Sequence, residues 1–222
     1  MEKVIYLYHH LPKCGGNSFI RTCALWFPPR REMIGSYPDR ERIAEYARTR
    51  FNYDDLPENC FVHGHLVSRG IRPFERYGDY IESGKFRVVT IFRDPLERTV
   101  SAWFHQQKKG RQWEGTFEDW LCRIRNQFSK YLGVTRDNWR ERLDAYFLVG
   151  TMESLQLTAD LMAAKTGQSR LEVPHLNRSP RSEYELSEEC VQKFIADNAL
   201  DYEIYRYSQE RLLREAVAHQ LV

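Results

Sequence analysis

The sequence predicts an α/β chain of three layers, a central parallel sheet flanked by helices, with a P-loop-like connection after its first strand. Short β-branched and aromatic runs alternate with segments of helical spacing, the order that builds a parallel sheet covered on both faces. The first run, Val4 to Tyr8, leads into Pro12-Lys13-Cys14-Gly15-Gly16, a turn of the size that surrounds a phosphate or sulfate, and then into a helix pattern. No repeat or low-complexity stretch breaks this order, so 1–222 reads as a single domain.

Each element has a local reason. Residues 3–8 form a buried strand that stops at Pro12 and the Gly15-Gly16 pair. A helix starts at Asn17 or Ser18, with Phe19, Ile20, Cys23 and Phe27 at helical spacing, Asn17 as cap and Pro28-Pro29 as stop. Residues 30–58 are mixed and polar, with a short helix over 39–50 whose Arg and Glu residues read as a solvated face. Cys60 to His65 reads as a second short strand and Phe86 to Phe92 as the strongest strand of the chain. Asp94-Pro95-Leu96-Glu97 then supplies a cap acceptor, a first-turn proline and an acidic residue three after the cap. In the helix it opens, Leu96, Val100, Trp103 and Phe104 are expected inward, and positions 94, 97, 98 and 101 on a different face. A helix over Phe117 to Ile124, a strand over Ala145 to Gly150 and a helix over Met152 to Lys165 follow, the last carrying Leu155, Leu157, Leu161 and Met162. Gln168 to Glu185 reads as a long ordered loop or lid, and helices near 187–198 and 200–218 close the chain. Such a fold takes its ligands at the carboxyl ends of its strands.

Composition narrows the function. With 42% hydrophobic and 29% charged residues the 222-residue chain can bury a sizeable core. Lys and Arg number 33 against 31 Asp and Glu, too even a balance for nucleic acid or an anionic membrane as the main partner. No apolar run approaches the ~20 residues that span a bilayer, and Met1-Glu2-Lys3 leads into the first strand with no cleavable signal pattern, so a cytoplasmic protein is expected. Cys14, Cys23, Cys60, Cys122 and Cys190 are far apart with no CxxC pair, which points to reduced thiols.

Three constellations carry chemistry. The first is the turn itself, where backbone amides and a helix N-terminus face an anion while Gly15 and Gly16 allow close approach. It is not the GxxxxGK[ST] nucleotide loop: Lys13 precedes the glycines and no Lys-Ser/Thr pair follows them, so no hydroxyl for Mg²⁺ is placed. The second is Arg93 at a strand end with Ser101 two helical turns on, a forked donor and a hydroxyl suited to a phosphate. The third is His63-Gly64-His65, whose imidazoles share one face of a strand and can take a proton near neutral pH. Taken singly, these have plainer readings: a strand–helix turn, a surface Arg and Ser, core or surface histidines, or half of a zinc site with no third ligand placed by spacing.

Together the segments resemble the PAPS-dependent sulfotransferases, particularly the carbohydrate branch with the heparan sulfate 2-O-sulfotransferases. Leu11-Pro12-Lys13-Cys14-Gly15-Gly16-Asn17-Ser18-Phe19 is similar to the family's PKTGGTS-type loop, with Cys14 and Asn17 in place of two threonines. Val89 to Ser101 is similar to its 3′-phosphate segment, and His63-Gly64-His65 to its HGH segment. The resemblance implies that Lys13, Cys14, Gly15, Gly16, Asn17 and Ser18 line the 5′-phosphosulfate, that Arg93 and Ser101 hold the 3′-phosphate, and that His65 is the base with His63 in support. Weaker similarities place Asn126 to Gly133 after the 3′-phosphate helix, Pro174 to Ser179 in a loop over the nucleotide with Arg178 and Ser179 as contacts, and Asp201 to Tyr205 in the terminal helix.

The expected activity is therefore transfer of a sulfuryl group from PAPS to a hydroxyl, with PAP as product, Lys13 stabilising the departing phosphate oxygen and no metal required. The acceptor is expected to be a small molecule or glycan, with no nucleic acid involved. Two rivals remain at this point: a Mg²⁺-dependent nucleotide kinase on a related fold, and a non-catalytic module binding nucleotide or sulfated glycan. Lys108, Lys109, Arg111, Arg123 and Arg125 could meet an anionic glycan, although such clusters are usually solvated faces, and Trp113 could line an acceptor cleft.

Overall fold

The computed structural model describes residues 3–32, 40–111, 113–174 and 185–222. Its centre is a parallel sheet of β1 (Ile5–His9), β2 (Pro29–Arg31), β3 (Phe61–Gly64), β4 (Phe86–Phe92) and β5 (Leu148–Thr151), in the spatial order β2-β3-β1-β4-β5. Between and after the strands run α1 (Gly16–Trp26), α2 (Arg40–Arg48), α3 (Pro73–Arg76), α4 (Gly78–Glu82), α5 (Pro95–Lys108), α6 (Phe117–Leu121), α7 (Gln127–Leu132), α8 (Trp139–Asp144), α9 (Leu155–Thr166), α10 (Glu188–Asp197) and α11 (Ala199–Ala218). The expected three-layer α/β architecture is thus present.

Side-chain alternation along the strands divides the core in two. Ile5 and Leu7 of β1 and Val88 of β4 pack with Phe128, Leu132, Leu143, Leu200 and Ile204 on one face, while Tyr6, Tyr8, Val89 and Ile91 pack with Phe19, Cys23, Leu161, Met162 and Leu212 on the other. Both faces are covered, which is why β4 reads as a nearly continuous apolar run. A smaller cluster of Leu121, Cys190 and Phe194 joins α6 to α10.

Several boundaries differ from the sequence reading. Helix α1 begins at Gly16, with Gly15 as its cap, because Gly15 adopts the left-handed backbone (φ 75°) that ends the turn, so Asn17 lies inside the first turn and is exposed. Strand β5 begins at Leu148 rather than Ala145, since α8 ends at Asp144 and Tyr146 turns into the core. On α5 the buried positions are Pro95, Arg98, Thr99, Val100 and Ala102, while Leu96, Trp103 and Phe104 are half-buried. Trp103 instead packs at a tilt against Phe117 and Trp120 of α6. Strand β2, of exposed residues, and the short helices α3, α4, α7 and α8 carry no pattern long enough to be read from sequence. The expected lid over 168–185 lies largely outside the described residues.

The order places β3 and β2 on one side of β1, and β4 and β5 on the other. Chain direction across the sheet therefore reverses at β1, and the loops leaving β1 and β4 open the crevice where such sheets hold ligands.

Candidate active site

The loop from β1 to α1 crosses this crevice. Lys13 (φ 70°) and Gly15 are both left-handed, so the chain folds back on itself before the helix, and Ser18 N–H reaches the Gly15 carbonyl at 3.2 Å. The first turn of α1 carries no acidic residue and no side-chain cap, so its positive end is left for an anion. Glycine is required at 16 for space: a Cβ there would lie 2.2 Å from His10 Nε2 and 2.7 Å from Tyr8 Oη. Tyr8 is fully buried and its hydroxyl has no hydrogen-bond partner among the described residues.

Cations gather around the loop. Arg93, at the end of β4, donates to the Lys13 carbonyl at 3.4 Å and to Glu97 at 3.2 Å. Arg98 is buried on α5 and donates through Nε to the Pro12 carbonyl at 3.3 Å and through Nη2 to the Tyr131 hydroxyl. Burial lowers the pKa of the Lys13 ammonium, and the charges of Arg93, Arg98, Lys108 and Lys109 lower it further. His105 is lowered by burial and then by Lys13, Lys109 and Lys108. Mutual repulsion of this kind is relieved by a bound anion, so the cluster fits a phosphate or sulfate group. Cys14 is buried in the loop, which raises its thiol to about 12. It is a protonated spacer that brings no negative charge to the cradle.

The sequence reading placed Arg98 on the non-core face of α5. That face proves to be the side turned toward the loop, and Arg98 is its anchor. Ser101 is half-buried one turn further on the same helix. The segments of weak similarity also meet: Asp201 Oδ atoms accept from Phe128 and Ser129 N–H at 2.9 and 3.0 Å, holding the start of α7, which in turn carries Tyr131. Burial raises Asp201 to about 6 despite those amides.

On the other side of β1 lie the histidines. His63 is the third residue of β3, and His65 stands just past the strand's end. His65 Nδ1 is 2.7 Å from the His10 carbonyl, and its ring stacks on that of His10 with centroids 4.2 Å apart at 26°. Burial lowers both His63 and His65; Arg31 of β2 lowers each further, and the His10 carbonyl partly offsets this at His65. Neutral imidazoles result, able to accept protons at neutral pH. A cavity of about 250 Å³, lined by Arg31, Glu32, Tyr46, Arg50, Phe51 and Arg76 among others, opens beside this edge of the sheet.

The structure therefore brings Lys13, Cys14, Gly15, Gly16 and Ser18 together with Arg93 at the β1/β4 crevice, and sets His63 and His65 on the adjoining strand. Asn17 is exposed on the first turn of α1. Arg178 and Ser179 lie outside the described residues. Sequence reasoning missed His10, Tyr8 and Arg98; the polar pair His9-His10 closing an apolar strand was the available signal for the first. Among the described residues no three His, Cys, Asp or Glu side chains gather as a metal-holding group, and no helix is long and apolar enough to cross a membrane.

No family profile matches the chain, and no curated protein matches it. Among solved structures, a sulfotransferase from Alicyclobacillus acidocaldarius shares the fold with a TM-score of 0.54 at 16% identity, over 92% of this chain and 94% of that one.

Proposed function

We propose that the protein is a sulfotransferase that moves a sulfuryl group from PAPS to a hydroxyl of a small molecule or glycan by in-line transfer, with His65 as base. The observation that carries this reading is that the Lys13 loop, Arg93 and the neutral imidazole of His65 stand at the carboxyl ends of the adjoining strands β1, β4 and β3. The shared fold with a sulfotransferase supports it.

When bound, PAPS supplies a sulfuryl group already activated on a phosphate anhydride. The open amides at the start of α1 and the Lys13 ammonium would hold its 5′-phosphosulfate and stabilise charge on the departing oxygen. Arg93 and Ser101 would hold the 3′-phosphate, Arg93 exchanging Glu97 for the stronger anion. His65, held through Nδ1, keeps Nε2 to accept the acceptor's proton. With Cys14 protonated no thiolate stands in the loop, and catalysis is positioning and electrostatics.

Calorimetric titration with PAP, ATP and ADP in EDTA tests the reading. The expected result is tight PAP binding, weak ATP binding, and a loss of tenfold or more in PAP affinity in Arg93→Ala, about 1.4 kcal/mol or more. Absence of PAP binding by the unaltered protein overturns the assignment.

A further inference from the structure

Resting on the sulfotransferase reading, we propose that His10 is the positioning residue of the transfer site: it fixes His65 in one tautomer and locks that imidazole against the donor loop through Gly16. His9 pairs with Gly64 in the last rung of the β1–β3 ladder, and His10 N–H donates to the Gly64 carbonyl at 3.0 Å. His10 and His65 are thus the first residues beyond the sheet on adjacent strands, side by side by register.

Two contacts define the state of His65. The His10 carbonyl can only accept, so at 2.7 Å it requires the proton on His65 Nδ1 and leaves the Nε2 lone pair free. The rings lie face to face, so His65 cannot swing about its Cβ–Cγ bond without displacing His10. His10 has nowhere to go. Its Nε2 edge fills the space a Gly16 side chain would take, and the Tyr8 ring also stacks against it at 5.3 Å and 17°. The first residue of α1, the His10 ring and the His65 ring therefore form one run of contacts from anion cradle to base.

Charge follows the same logic. Burial, then the charges of His65, His63 and His9, holds His10 well below an ordinary histidine, while burial and Arg31 of β2 lower His65. A neutral His10 adds no repulsion when the adjacent imidazole takes a proton.

Long-range ¹H–¹⁵N correlation spectra of the histidine side chains, recorded against pH, test this without an acceptor. The unaltered protein is expected to show His65 with Nδ1–H. His10→Phe, which keeps the flat ring and the carbonyl, preserves that tautomer. His10→Ala keeps the carbonyl but lets the His65 ring turn away from it, giving a tautomer mixture and moving the His65 midpoint up toward the ordinary value, since the burial it loses outweighs the carbonyl bond. A native His65 with the proton on Nε2, or an unmoved tautomer and midpoint in His10→Ala, overturns the proposal. Failure of the unaltered protein to bind PAP defeats the sulfotransferase reading instead, and the tautomer result stands apart from it.

Discussion

Lys13 adopts a left-handed backbone, a conformation costing a non-glycine residue about 1–2 kcal/mol. Strain held at a ligand-binding loop is expected where geometry serves function over stability. Lys13→Gly separates the two. It relieves the strain but adds about 0.5–1 kcal/mol of chain entropy to the unfolded state, so the terms nearly cancel. The melting temperature should therefore move by only a few degrees while PAP affinity falls tenfold or more; unchanged affinity would remove the lysine from the donor site. His65 supplies the complementary case. His65→Ala should lower turnover by about 10²-fold or more with PAP affinity nearly intact. In the unaltered protein turnover should fall on the acid side only below the ordinary histidine range, since burial lowers the pKa of His65.

Helix α5 shows how one element serves the site twice. Its N-terminus is capped by Asp94, which accepts from Glu97 N–H at 3.0 Å, and this fixes Arg93 at the strand end. One turn later Arg98 crosses to the Pro12 carbonyl and Tyr131, tying the loop to α7. Arg98→Met removes two charge-assisted bonds from a buried place and should cost about 3 kcal/mol, a fall in melting temperature of roughly 6–12 °C for a chain of this size. PAP affinity should fall with it, because the loop loses its brace. The cap and the strand before it were legible in sequence, since Asp94-Pro95 and the Phe86–Phe92 run are local signals. So were the Lys13 loop and the Arg93 position. Arg98 was not: its burial depends on a loop 86 residues away and on a tyrosine from a helix of six residues that no periodicity announces. His10 was hidden for the same reason, since its neighbour His65 reaches it only through strand pairing across 55 residues.

At the scale of the whole molecule, buried histidines make stability depend on pH. His9 is fully buried against Tyr146, and burial lowers it to about 3. Below the unfolded histidine pKa of about 6.5 the unfolded chain binds a proton that the native state does not, so stability is lost as pH falls, by about 1.4 kcal/mol per unit from this residue alone. His10, His63 and His65 act in the same direction. Asp201, raised to about 6, acts oppositely: between about 4 and 6 the native state holds the extra proton, and acid favours it there. Asp94, also raised by burial, acts with Asp201, and His105 acts with the other histidines, and two carboxyls do not offset five imidazoles. Denaturant midpoints should therefore drop steeply from pH 7.5 to 5, and a flat profile would show that these imidazoles titrate alike in both states. The outer strand β2 has another consequence. A sheet margin is a template on which a foreign strand can grow, and here that margin is Pro29-Arg30-Arg31, all exposed. An incoming chain meets a proline with no N–H to offer and two like charges that repel a second copy's margin, so the strand that brings Arg31 beside His63 also guards the protein against self-association into fibrils.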